Sequence, residues 1–281
     1  MTPGAFSYAR PVSVDAAAEL LALHGAGARV LAGGQSLVPL LVQRRVRPGL
    51  VIDINRIPGL DRIEELAGTI RMGALVRQEQ ARLSLLVRRE VPGLGEALDW
   101  VASPVIRERG TVVGNLVANS PGTELPAVAL ALGARFVVRD HAGERELAAA
   151  ELLGSGSEAG GEMLVTHVLW PRAPGCGGFY EVARRDGHAP VVGAMVTVTR
   201  EGCRVGLCGV GAIGMDCPQV AAAIFGCWPR IPAAAEVTPL LRGDLRQPVA
   251  GTAFVDADYR LDVAPTVIRR AAIAAAGLER V

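Results

Sequence analysis

The sequence contains no lysine: all 29 of its basic residues are arginine, set against 28 acidic residues for a formal net charge of +1. This absence excludes a Walker-A phosphate lysine and any Schiff-base mechanism, since both need a primary amine. The near-zero balance also argues against nucleic-acid binding, which calls for a basic face. Aromatics make up 4% of a chain that is 50% hydrophobic, so the apolar mass is Ala, Val and Leu, beside 34 glycines. No apolar run reaches about 18 residues without a charge or turn signal, so no membrane span is expected. The opening MTPGAFSYARP lacks a basic stretch followed by an apolar one, so no signal peptide is expected. The five cysteines (Cys176, Cys203, Cys208, Cys217 and Cys227) form no CxxC pair, and their number is odd. Reduced, mostly buried cytoplasmic thiols fit this better than a disulfide frame or a metal site. His24, His141, His167 and His188 share no ligand spacing and no GxSxG motif is present, so neither metal nor hydrolytic chemistry is visible.

Charged residues at 20% in a 281-residue chain indicate a folded protein of one large domain or two to three small ones. A helix is predicted over 13–25, with Ser13 as N-cap, an apolar face of Ala17, Leu20, Leu21 and Leu23, and Gly25 at its end. Strands are predicted near 29–32, 50–54, 69–75, 134–139, 163–169, 191–200 and 203–210. Helical segments are predicted near 37–42, 77–90, 94–101, 125–132, 218–226 and 264–276. A flexible loop is expected at 154–161. PRAPGCGG at 171–178, with two prolines and three glycines, reads as a linker. The expected organisation is two α+β pieces, 1–175 and 176–281.

Three glycine-rich stretches invite chemistry. Ala32-Gly33-Gly34-Gln35-Ser36-Leu37 follows a predicted strand and precedes an apolar helical segment. Paired glycines allow a tight turn that aims several N–H groups one way, and a helix start behind them adds a positive dipole end. The result is either an anion cradle suited to a diphosphate or a plain strand-to-helix turn. Thr111-Val112-Val113-Gly114-Asn115, with Thr123 and Glu124 shortly after, gathers small, hydroxyl and amide groups able to grip a phosphate, a ribose or a heterocycle edge. Glu124 equally suits a plain helix-capping role. Gly209-Val210-Gly211-Ala212-Ile213-Gly214 matches G-x-G-x-x-G, but Pro218, Pro229 and Pro232 leave no βαβ unit around it.

Taken together, AGGQSL near residue 32 and RERGTVVGNLVANSPGTELPAV at 107–128 resemble the FAD-binding medium subunit of the molybdenum hydroxylases. The resemblance runs through PGLVIDINRIPGL at 48–60, IRMGALVR at 70–77, FYEVARRDG at 179–187 and GVGAIGMDCPQVAAAIFG at 209–226. It implies an α+β fold. A two-part FAD-binding domain of the vanillyl-alcohol-oxidase type would span 1–175, in subdomains of about 1–58 and 59–175. A small CO-dehydrogenase-flavoprotein C-terminal domain would span 176–281. It implies non-covalent FAD and a role in electron transfer. Electrons would come from a large molybdenum-cofactor subunit through a small [2Fe-2S] subunit, in a dimer of heterotrimers, and leave to an external acceptor. By position, Ala32, Gly33, Gly34, Gln35, Ser36 and Leu37 would cradle the diphosphate. Thr111, Gly114 and Asn115 would form a second phosphate loop. Thr123 and Glu124 would hold the sugar or adenine side, Leu164 would line the pocket and Arg184 would lie near the flavin.

Three positions depart from the family pattern. Val113 stands where a second glycine is usual, and a β-branched residue there is expected to alter one phosphate contact. His188 replaces the usual acidic residue. Ala189 replaces the usual aromatic, which implies a flavin more open to its acceptor. Two other readings of the chain are a stand-alone FAD-dependent oxidase of the same fold and a cofactor-free assembly protein. The oxidase reading needs a substrate-cap domain larger than the part of the chain beyond the linker.

Overall fold

The structure is a computed structural model that describes residues 2–120, 122–154, 163–173, 177–185, 187–211, 213–249, 251 and 254–278. Almost all of the loop expected at 154–161, and the centre of the expected linker with Cys176, lie outside the described residues. The chain forms two compact units that interleave along the sequence. One comprises 1–81, 104–118 and 135–169; the other comprises 82–103, 119–134 and 170–281.

In the first unit, β1 (Ser7–Ala9), β2 (Ala28–Leu31) and β3 (Leu50–Asp53) make a parallel sheet of order β1-β3-β2. All four residues of β3 are buried, which is why the central strand reads as an unbroken apolar run, Leu-Val-Ile. The helix Val14–His24 begins as the sequence predicts: the Ser13 hydroxyl accepts from the Ala16 N–H at 3.2 Å. Its buried face is Ala17, Ala18 and Leu21, whereas Leu23 is 77% exposed. A second sheet of the same unit has the order β4-β5-β8-β6-β7. Its strands are β4 (Ile63–Leu66), β5 (Thr69–Gly73), β6 (Arg135–Asp140), β7 (Gly143–Ala148) and β8 (Leu164–Pro171). His167 sits within β8, its Nδ1 3.0 Å from the Thr166 hydroxyl; burial and the Arg71 charge hold its pKa below the usual value, as suits a structural histidine.

The second unit is built on an antiparallel sheet of β9 (Gly177–Ala183), β10 (Pro190–Val198), β11 (Cys203–Cys208) and β12 (Met215–Asp216), in the order β12-β11-β10-β9. Every residue of β10 is buried because both faces of the sheet are covered. The helix Ala257–Ala275 packs on β9 and β10, and the helix Glu124–Leu132 on β10 and β11. Each rests on a glycine. A Cβ at Gly178 would run into the Ala271 carbonyl oxygen and the Ala275 nitrogen, and one at Gly206 into the Ala127 carbonyl oxygen. Gly178 pairs with Val196 and Gly206 with Met195, adjacent residues whose side chains leave opposite faces. The two helices therefore lie on opposite sides of the sheet. Val192, Ala194, Val196 and Val198 supply the core under the long helix.

Several elements differ from the sequence reading. The single helix expected over 77–90 is two, Gln78–Leu83 and Leu85–Glu90, because the Ser84 hydroxyl caps the second by accepting from the Val87 N–H. The last helix begins at Ala257, where Asp256 caps it by accepting from the Tyr259 N–H at 2.7 Å, and it carries Pro265 inside. The helix Ala234–Asp244 was masked in the pattern by its proline-rich approach. GVGAIG joins β11 to β12, its antiparallel neighbour, and so is a hairpin connection rather than a nucleotide-binding βα turn.

Gly206→Val is expected to cost about 3 kcal/mol or more, since the obstacle is helix backbone and not a side chain that can rotate away. Denaturant unfolding checks this; a midpoint equal to that of the wild type would mean the Glu124–Leu132 helix does not seat on Gly206.

Candidate functional site

The loop 32–36 leaves the carboxyl end of β2 beside that of β3, where parallel strands bring loops together to meet ligands. Gly34 has φ +74°, a conformation that glycine adopts without strain. Among the described residues, the Gly34, Gln35 and Ser36 amides meet no acceptor. The Ser36 side chain makes no capping bond, so its hydroxyl is also uncommitted. The helix behind, Leu37–Val42, has only six residues, and its Val38 amide is already bonded to the Gly34 carbonyl at 3.1 Å. The donors of this loop are therefore its own amides more than a helix dipole.

The second loop is fastened from below. Gln78 N–H donates to the Gly110 carbonyl at 2.9 Å, and Val112 N–H to the Val76 carbonyl at 3.0 Å, so residues 76–78 run beside 110–112. A buried ion pair, Arg107 Nε to Glu79 Oε2 at 2.6 Å, fixes the approach. Thr111 opens the helix Val112–Ala118, its hydroxyl accepting from the Gly114 N–H at 3.0 Å. Asn115 Oδ1 is buried with no partner. Val113 is 3% exposed and belongs to the core; a helical backbone accommodates its branched side chain in one rotamer.

The two loops touch. A Cβ at Gly33 would strike the Arg109 carbonyl oxygen and lie 3.0 Å from Gly110 Cα and 3.1 Å from Thr111 N. A network ties them as well. Asn55 Nδ2 donates to the Ala32 carbonyl at 2.8 Å and to Asp53 Oδ1 at 2.7 Å. Arg77 donates to Asn55 Oδ1 at 2.9 Å and to the Arg109 carbonyl at 2.6 Å. Asp53 is buried, and Tyr8 and Arg10 reach its other oxygen. Burial alone would raise its pKa, but the bonds from Tyr8 and Asn55, with the Arg10 charge, hold the carboxyl below the usual range. Unclaimed amides, a free hydroxyl and a glycine at closest approach suit a diphosphate-bearing ligand. Asn55 and Arg77 lie in the resembling segments, but nothing in their spacing singled them out.

Leu164, also in this unit, is the first residue of β8 and 2% exposed. Thr123, Glu124 and Arg184 belong to the second unit. Thr123 is the N-cap of the helix that Glu124 begins, and its hydroxyl donates to the Ser120 carbonyl at 2.8 Å. Arg184 is exposed and stacks over the Phe254 ring at 4.3 Å. Glu124 is not a solvated cap: it is 4% exposed, and burial raises its pKa to about 7. A row missed in the sequence explains part of this setting. Gly193 of β10 pairs with Glu181 on one side and Cys208 on the other. A Cβ there would lie 2.8 Å from Cys208 Sγ and 3.3 Å from Glu181 Cβ. Glu181 is 3% exposed with Oε2 unpartnered, and burial, then the Glu124 charge, push its pKa to about 9. Burial, with both carboxyls, pushes the Cys208 thiol well above its usual range.

Residues 4–173 match the family described as the FAD binding domain in molybdopterin dehydrogenase. The alpha subunit of the 6-hydroxypseudooxynicotine dehydrogenase complex of Paenarthrobacter nicotinovorans is 40% identical over 230 residues, 78% of this chain and 77% of that one. Caffeine dehydrogenase subunit beta of Pseudomonas sp. (strain CBB1) is 38% identical over 221 residues, 75% of each chain. A chain of reconstituted CO dehydrogenase from Oligotropha carboxidovorans superposes with a TM-score of 0.90 at 27% identity, covering 99% of this chain and 100% of that one. The α+β fold class and the family implied by the sequence are those of these proteins.

The buried acids set a pH dependence. An acid whose folded-state pKa lies above its unfolded value keeps its proton in the native state after the unfolded chain has lost it. Its stabilising contribution is full below the ordinary value of 4.5 and is lost as pH rises through about 7 for Glu124 and about 9 for Glu181. Unfolding free energy is expected to fall from about pH 5 to about pH 9, and Glu181→Gln to flatten the upper part of that decline. Urea titrations across this range would reveal it; parallel profiles for the two proteins would rule out a protonated Glu181.

Proposed function

Because this chain belongs to the family of FAD-binding subunits of the molybdenum hydroxylases, we propose that it is the electron-transfer subunit of such a complex. In this reading it takes electrons from a small [2Fe-2S] subunit, which is supplied by a large molybdenum-cofactor subunit, and passes them to an external acceptor. The chain is an oxidoreductase flavoprotein subunit with FAD as its cofactor. Bound FAD supplies the redox chemistry, and the protein supplies position, electrostatics and access.

The observation that carries the reading is the closure of loop 32–36 onto loop 109–115 within one compact unit, with free amides at the junction. Ala32, Gly33, Gly34, Gln35, Ser36 and Leu37 hold the diphosphate from one side, and Thr111, Gly114 and Asn115 from the other. Thr123 and Glu124 serve the sugar or adenine side; a Glu124 carboxyl that keeps its proton is able to donate a hydrogen bond as well as accept one. Leu164 lines the pocket and Arg184 lies by the flavin. Exposed Ala189 leaves the flavin more open than an aromatic residue would. The FAD-binding domain is taken as 1–175 and the small C-terminal domain as 176–281.

The relatives named as subunits of dehydrogenases support partner chains, and we place this one in a dimer of heterotrimers. No described helix is long and apolar enough to cross a membrane. Cys203, Cys208, Cys217 and Cys227 are free thiols, which supports a cytoplasmic setting.

Purified with its partners, the chain is expected to carry stoichiometric FAD, and a large and a small subunit should accompany it. Gly34→Val is expected to lose the flavin. Valine is strained at φ +74°, and its Cβ would lie 3.2 Å from Val38 Cγ2 and 3.4 Å from Leu31 Cδ1, which pushes the loop off its path. Flavin absorbance of the isolated protein gives the answer, and full retention by the variant would put the diphosphate elsewhere.

A further inference from the structure

A diphosphate brings negative charge, and in a chain without lysine the backbone amides that cradle it are neutral. An arginine beside the cradle would add the positive charge that neutral amides lack. Arg77 is half-buried, and both of its side-chain hydrogen bonds go to uncharged oxygens: the Arg109 carbonyl and Asn55 Oδ1. Among the described residues, no carboxylate pairs with its guanidinium. Asp53, the nearest acid in the network, is taken up by Tyr8, Asn55 and Arg10. Burial and the neighbouring Arg109 charge lower the Arg77 pKa, yet a guanidinium remains charged throughout the accessible pH range.

A half-buried cation held by neutral acceptors is costly unless an anion joins it. Its two anchors also choose its place. One bond reaches the loop 109–115 directly, and the other reaches loop 32–36 through Asn55 and the Ala32 carbonyl. We propose that Arg77 is the charge-supplying and positioning residue of the FAD diphosphate site, tying the two loops together and completing its electrostatics when FAD binds. The proposal rests on the assignment of these loops to the diphosphate.

The test is FAD titration of the deflavinated full chain, followed by flavin fluorescence at a series of salt concentrations, for wild type, Arg77→Met and Arg77→Lys. Arg77→Met is expected to weaken FAD binding about ten- to a hundredfold, as loss of a charge-assisted contact does. Its affinity should also respond less to salt, because the screened attraction has gone. Arg77→Lys keeps the charge and is expected to recover part of the affinity and the salt response of the wild type. Unfolding midpoints of the apoproteins identify a variant that has failed to fold, in which case Arg77→Gln takes the place of Arg77→Met. Unchanged FAD affinity in Arg77→Met overturns the proposal. So does a loss with undiminished salt response that lysine does not repair, since Arg77 would then be a mechanical tie alone. A wild-type chain that takes up no FAD would instead overturn the assignment of the loops.

Discussion

Much of the site depends on one contact, the approach of Gly33 to the backbone of Arg109, Gly110 and Thr111. A Cβ at Gly33 would occupy space already filled by a carbonyl oxygen, and main chain cannot rotate out of the way as a side chain can. Only glycine lets the two loops close. Once they close, amides and hydroxyls separated by some 75 residues of sequence converge on one place. The surrounding bonds follow from this closure: Gln78 and Val76 hold the second loop from beneath, and Asn55 with Arg77 links it to the first.

The second unit uses the same device for packing. Gly178 and Gly206 let two helices settle on opposite faces of one sheet, so β10 is buried along its whole length. Gly193 has a different consequence. By offering no side chain, it leaves Glu181 and Cys208 as neighbours across it, in a row where no water reaches the spare Glu181 oxygen. Desolvation disfavours the charged form of each group, so the acids stay protonated over a wide range.

Elements with strong local signals were legible in the sequence. Ser13 caps its helix, Gly25 ends it, and the apolar run Leu50-Val51-Ile52 lies in a buried strand. Elements were misread where a local hydrogen bond outweighed periodicity, as at Ser84, or where prolines obscured a helix, as before Ala234. The short strands β1, β4 and β7 escaped because their partners lie far away or their pattern is brief and polar. GVGAIG shows the opposite failure: a motif is a string, and its meaning came from the strand that follows it. Both diphosphate loops were visible as glycine clusters, whereas Asn55 and Arg77 were not. An asparagine and an arginine are common on any surface, and only the fold aims them at two carbonyl oxygens.

The sequence by itself determined the family, the cofactor class and what the site must do without. Glycine clusters, their order and the absence of lysine are properties of composition and local conformation, so a string of residues carries them completely. The tertiary structure alone decided which charges are balanced and which are not. It interleaved segments 82–103 and 119–134 with the C-terminal part of the chain. It placed Glu124 and Glu181 out of water, and left Arg77 between neutral oxygens. Desolvation and pairing depend on distances between residues far apart in the chain, and those distances exist only once the chain has folded.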